Sequence, residues 1–225
     1  DYLTMSERGH LLDRDQIADI AAELVQEKWR DGEILFSADE REAGREATFN
    51  QAQRAAIEMA VGHHEIHAPT CNEIIAVEQQ ISVAIPRLGM SFIAVPDLRE
   101  RDRIRECKTG SRAFPKNDID SRLQAVAYPT VVGAAEPENS TPEIRFDYIW
   151  RTKTGKIGSA VQTKRVTAED KNRFLMRLAE FHRAVQSGVF LPCPEGSWCC
   201  NEEHCGYYSD LCEYGRRGRE RSETK

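Results

Sequence analysis

Close to residue 70 the hydrophobic period of the chain changes, and that change narrows the folds open to it. Before it, residues 15–30 (DQIADIAAELVQEKWR) put Ile17, Ile20, Ala21, Leu24, Val25 and Trp29 on one helical stripe, with Asp15 as the expected N-cap. Residues 38–62 carry a second helical pattern, and HHEIHAPTC reads as a loop because Pro69 and the polar residues break the period. After it, residues 73–86, 91–100 and 102–110 read as three strands, with Gly89 in the first turn. Residues 118–133 suggest a helix that Pro129 ends or kinks. Residues 143–155 and 156–167 are two more strands about a Lys153–Lys156 turn. Residues 168–188 are a helix with Phe174, Leu175, Leu178, Phe181 and Val185 on one face and Gly188 as C-cap. Helices, three strands, helix, two strands and a helix imply a mixed sheet flanked by helices in one α/β domain.

Composition excludes several classes. The 225 residues are 40% hydrophobic and 30% charged, which suits a globular chain with room for one sizeable core. No apolar run approaches the roughly 20 residues of a membrane helix. The opening DYLTMSERGHLLDRD lacks the apolar stretch of a signal peptide, so a cytoplasmic protein with no membrane role is expected. A net charge of −6 counts mildly against a nucleic-acid binder. Local basic runs matter more: Arg99, Arg101, Arg103 and Arg105 alternate along one segment, and Lys153, Lys156, Lys164 and Arg165 flank another. Each run reads either as a solvated face or as a grip on phosphate.

The segment VPDLRERDRIRECKTG (95–110) holds the chemistry. Glu106 and Lys108 are two apart and leave the same face of one strand, while Cys107 points the other way. Asp97 lies on the preceding strand, where it can approach Glu106, and Glu78 stands on the first strand. Converging carboxylates repel unless a cation sits among them, and oxygen ligands suit Mg²⁺ or Mn²⁺. An ammonium such as Lys108 can stabilise a hydroxide or a phosphate charge. A solvated hairpin with alternating Arg and Glu would look similar.

Pro96-Asp97 followed by Glu106-Cys107-Lys108 resembles the signature of the PD-(D/E)XK nuclease superfamily. Lys108-Thr109-Gly110 resembles the "KTG" of its RecB-like branch, and Gln124-Ala-Val-Ala-Tyr128 resembles that branch's Q-x-x-x-Y helix. The resemblance spans about residues 73–212. It implies a restriction-endonuclease-like fold: a nuclease domain over 1–192 with its core at about 73–190, a cysteine-rich segment over 193–215 packed on it, and a charged tail over 216–225. It implies that Glu78, Asp97, Glu106 and the Cys107 carbonyl bind the divalent ion. Lys108 would act on the attacking water, with Gln124 and Tyr128 positioning Lys108 or the DNA. Arg99, Arg101, Lys153, Lys156 and Lys164 would hold the strand. The G-x-x-x-H motif of many relatives has no clean match; His10, His63, His64 and His67 are the candidates.

Five of seven cysteines fall between Cys193 and Cys212. An odd count without a secretion signal argues for a metal over disulfides. Cys193, Cys200, Cys205 and Cys212 give C-x6-C-x4-C-x6-C, with Cys199 and Cys71 as alternates. By the same resemblance to RecB-like phage and CRISPR-associated nucleases, these would hold a [4Fe–4S] cluster, with Zn²⁺ as the alternative, and staple the tail to the domain. The expected activity is a Mg²⁺- or Mn²⁺-dependent DNA exonuclease of recombination, repair, phage or defence processing, with a partner protein from such a system. An endonuclease or CRISPR-adaptation-like nuclease, and a non-catalytic DNA-binding or assembly module, are the rivals.

Overall fold

The computed structural model describes residues 12–31, 34, 36, 38–136, 141–189, 193, 200, 205, 208 and 212. His10, Cys199 and the tail over 216–225 lie outside the described residues. The chain divides into two compact units, Asp1–Phe174 and Leu175–Lys225.

Helix α1 (Arg14–Asp31) begins two residues earlier in the sequence than the Asp15 reading expects. Asp13 Oδ1 accepts the Gln16 amide and Gln16 Oε1 accepts the Asp13 amide, both at 2.9 Å, a reciprocal cap that satisfies two donors. The second helical pattern splits at Gly44, whose φ of 86° breaks it into α2 (Ala38–Ala43) and α3 (Arg45–His67). Helix α3 runs five residues past its predicted loop boundary, and Pro69 falls in a following 3-10 turn, Ala68–Thr70. His63, His64 and His67 are therefore helical, not in a loop.

The stretch 73–86 is two strands, not one. Strand β1 (Ile74–Val77) joins the main sheet, whereas β2 (Ile81–Ile85) pairs with β3 (Met90–Ala94) in a separate hairpin. The second predicted strand divides likewise, into β3 and β4 (Leu98–Glu100). The break in 73–86 falls at Glu78, whose φ of 45° is rare for a residue with a side chain. Strand β5 (Arg103–Gly110) follows β4 antiparallel. Helices α4 (Asp118–Ser121) and α5 (Gln124–Ala135) then lead to β6 (Glu143–Arg151), which pairs parallel with β5, and β7 (Ile157–Lys164) closes the order β1-β4-β5-β6-β7. Pro129 neither ends nor stops α5, which continues six residues beyond it.

Alternation along β5 and β6 assigns the faces. Ile104, Ile144, Phe146 and Tyr148 pack with Ala125 and Val132 of α5 and Ile119 of α4 in the main core. The other face carries Arg105, Cys107, Asp147 and Ile149. Helix α6 (Ala168–Gln186) begins with a Thr167/Asp170 cap and ends before Gly188, at φ 67°. Phe174 is buried against Phe92, at a ring distance of 5.5 Å. Leu175, Phe181 and Val185, expected on the same apolar face, are exposed.

Candidate active site

The loop before β4, strand β5 and the first two turns of α5 bring five predicted residues together. Lys108 Nζ donates to Glu106 Oε1 at 2.8 Å and to Gln124 Oε1 at 2.7 Å. Gln124 Nε2 donates to the same Glu106 Oε1 at 2.8 Å and to the Tyr128 hydroxyl at 3.0 Å. Glu106 and Lys108 meet because strand residues two apart share a face, and Gln124 and Tyr128 because they are one helical turn apart. Asp97 approaches from the loop before β4: its Oδ2 accepts the Cys107 amide at 2.8 Å, and its own amide points to Glu106 Oε2 at 3.5 Å.

The electrostatics are those of an acid pair short of positive charge. Glu106 is 4% exposed. Burial pushes its carboxyl above the usual range; the Lys108 bond opposes this, and the Asp97 charge adds to it. The Lys108 ammonium also lies 5.2 Å from the centre of the Phe146 ring. Tyr128 stays a neutral phenol, its pKa raised chiefly by burial. Burial pushes the Cys107 thiol up to about 12, which leaves its carbonyl as the group with any affinity for a hard cation.

Two acids with oxygen donors suit a small divalent cation. The short bonds above use Oδ2 of Asp97 and Oε1 of Glu106; Oε2 of Glu106 takes only the 3.5 Å contact from the Asp97 amide, so that oxygen and Asp97 Oδ1 are the ones that would hold one. Glu78 is placed differently from its expected strand position: it follows β1, its side chain is exposed, and its amide donates to the Asp97 carbonyl at 3.1 Å. Its backbone is thus tied to Asp97. Among the described residues, no three His, Cys, Asp or Glu side chains are grouped to hold a metal, at this site or among Cys193, Cys200, Cys205 and Cys212.

The basic runs fare unevenly. Arg99 is buried, with its guanidinium on Glu136 at 2.6 Å, so it points into the protein and not toward a strand. Arg105 is deeper still, bonded to Glu100 at 2.6 Å and Asp147 at 2.9 Å. Arg101 is exposed but forked on Glu73, and Lys164 is paired with Asp120 at 3.0 Å. Lys153 and Lys156 are exposed in the β6–β7 turn.

Behind β5, the face carrying Arg105 closes around His67. The His67 Nδ1 lies 3.3 Å from Asp147 Oδ1, and its Nε2 lies 2.8 Å from the Ser159 hydroxyl. Burial holds His67 below its usual pKa despite Asp147. His63, one turn earlier, falls to about 4 through burial and then the His67 charge. No sequence motif announces this cluster, because its partners lie up to 92 residues apart. His63 and Cys107 also line an apolar groove of about 470 Å³ between α1, α3 and the sheet.

A five-strand mixed sheet flanked by helices, with parallel central strands, is the restriction-endonuclease-like architecture. The family model of the PD-(D/E)XK nuclease superfamily matches residues 3–213, and the chain belongs to that superfamily. Its members generally use Mg²⁺ or Mn²⁺ and act on DNA. A solved structure from Eubacterium rectale, provisionally named an exonuclease, is 14% identical, with 94% of this chain and 78% of that chain covered and a TM-score of 0.47. A second, SSO0001, is also 14% identical, with 88% and 96% covered and a TM-score of 0.43. No curated protein matches the chain. Among the described residues, no helix is long and apolar enough to cross a membrane.

Proposed function

We propose that the chain is a divalent-metal-dependent deoxyribonuclease and that the cluster around Lys108 is its active site. The observation that carries this reading is the Lys108 ammonium held between Glu106 and Gln124, with Asp97 beside it. An ordinary hairpin salt bridge needs no glutamine from a separate helix to fix its lysine. Asp97, Glu106 and the Cys107 carbonyl would hold Mg²⁺ or Mn²⁺, with Glu78 as the further acid. The chemistry such an ion supplies when bound is neutralisation of charge at the scissile phosphate. Lys108 supplies a fixed positive charge beside the attacking water, Gln124 fixes the ammonium, and Tyr128 fixes Gln124.

Between exo- and endonuclease, we favour the exonuclease on the KTG and Q-x-x-x-Y resemblance. End-labelled linear DNA and closed circular DNA, each with and without Mg²⁺ or Mn²⁺, separate the two. Loss of label from linear DNA with the circle intact supports the exonuclease; nicking of the circle supports the endonuclease; no metal-dependent cleavage of either removes the enzyme reading.

For the cysteine segment, the sequence spacing supports a second metal site at Cys193, Cys200, Cys205 and Cys212, with Cys199 and Cys71 as alternates and [4Fe–4S] ahead of Zn²⁺. Cys71 is half-buried, with its thiol toward the His67 carbonyl at 3.8 Å. Anaerobic purification decides the identity of the metal: iron with inorganic sulfide supports the cluster, zinc supports the alternative, and metal-free folded protein removes both.

A further inference from the structure

Lys108 and Tyr148 are direct partners in the parallel register of β5 and β6, so they stand side by side on one face, about 4.8 Å apart along the sheet. Tyr148 is fully buried, and its hydroxyl donates to Asp118 Oδ2 at 3.0 Å. Asp118 in turn receives both edges of a fork: Arg122 Nε on Oδ2 at 2.8 Å and Arg122 Nη2 on Oδ1 at 3.1 Å. The Asp118 side chain is 10% exposed and that of Arg122 41%. The acid is inside, anchored to the core, and the guanidinium is at the rim. Arg122 also lies two residues before Gln124, the side chain that fixes Lys108.

We propose that Arg122, aimed by Asp118 and Tyr148, is a DNA-phosphate-binding residue at the edge of the active site. An i,i+4 ion pair on a helix surface contributes little to stability and needs no buried tyrosine behind it. What the Tyr148–Asp118–Arg122 chain does is fix a planar guanidinium in direction. With Nε and Nη2 turned to Asp118, the Nη1 edge remains to meet a phosphate, whose geometry matches the fork. Asp118 stays charged to do this. Burial works against its charge, but the bonds from Arg122 and Tyr148 outweigh it, and Lys108 adds to them. Arg99, by contrast, is closed on Glu136 inside the protein.

The inference rests on the nucleic-acid reading of the site but not on cleavage, so its test is binding. A fluorescent single-stranded DNA oligonucleotide is titrated with the full chain in chelator over a series of salt concentrations. Arg122→Ala is expected to weaken binding about tenfold and to lower the salt slope by about 0.7, the loss of one phosphate contact. Arg122→Lys keeps the charge without the fork. It is expected to keep the slope while losing affinity, and it serves if the alanine variant does not fold. Arg173→Ala removes a comparable exposed ion pair, with Glu169. Wild-type affinity and slope in both Arg122 variants overturn the proposal, as does an equal loss in Arg173→Ala. Protein that binds in this way but never cleaves sinks the nuclease reading and leaves Arg122 standing.

Discussion

Strand β5 carries an ionisable cluster on each face, built from the same kinds of residue. On the α3 side, Arg105 and Arg145 face Asp147 and Glu100, with His67 among them; Arg105, Asp147, Glu100 and His67 are all at most 3% exposed. The charges balance, and nearly every polar atom is bonded, Glu100 Oε2 being an exception. On the α5 side, two acids, Asp97 and Glu106, stand beside one lysine, which pairs with Glu106, and the Glu106 carboxyl is held above its usual range. A neutralised, sealed cluster has a structural task, pinning α3 and the strands to one another. A cluster left short of one positive charge is costly unless something supplies it, which is why the proposed function puts a cation and a phosphate on this face.

Breaking the sealed cluster should have the largest effect on folding. Arg105→Met leaves Glu100 and Asp147 buried without their common partner. It is expected to lower the stability measured by urea unfolding by about 3–5 kcal/mol. A loss no larger than that of an exposed substitution would show the cluster to be ornamental. The same face should also set the acid limit. His63 titrates at about 4 folded and 6.5 unfolded, so between these values the unfolded chain binds the extra proton. Stability therefore falls as pH drops from 6.5 to 4, by about 3 kcal/mol from this residue. His63→Leu should flatten that limb of the pH–stability curve, leaving the part due to His67; an unchanged limb would contradict the assignment. The smallest effect belongs to the open face. The charged form of Glu106 is disfavoured on folding, so its contribution falls as pH rises above the ordinary carboxyl range. Glu106→Gln should leave neutral-pH stability unchanged or raise it by about 1 kcal/mol. A loss of several kcal/mol would place Glu106 with the structural cluster instead.

The two faces were not equally legible from sequence. Glu106/Lys108 and Gln124/Tyr128 are local pairs, two apart on a strand and four apart on a helix, and local spacing is what a sequence displays. Arg105, Asp147, His67 and Ser159 meet only through the β5–β6 and β6–β7 registers and the end of α3, so nothing in the linear pattern separated Arg105 from its neighbours. The mixed sheet and its flanking helices were readable because the hydrophobic period switches. The split of 73–86 was not, because Glu78 turns the chain without a Gly or Pro to mark it. Arg122 was passed over because its partner Asp118, four residues away, looks like any exposed helix pair until Tyr148 is seen behind it.

The central claim is that the α5 face is catalytic and the α3 face structural. Wild type, Lys108→Ala and a folded substitution of the sealed cluster, Ser159→Ala, are compared on one end-labelled linear DNA with Mg²⁺ or Mn²⁺, with folding checked by circular dichroism. The account predicts metal-dependent cleavage by wild type and Ser159→Ala, and a loss of at least about a hundredfold in Lys108→Ala, the scale of removing one preorganised electrostatic group. Equal cleavage by Lys108→Ala and wild type would contradict it.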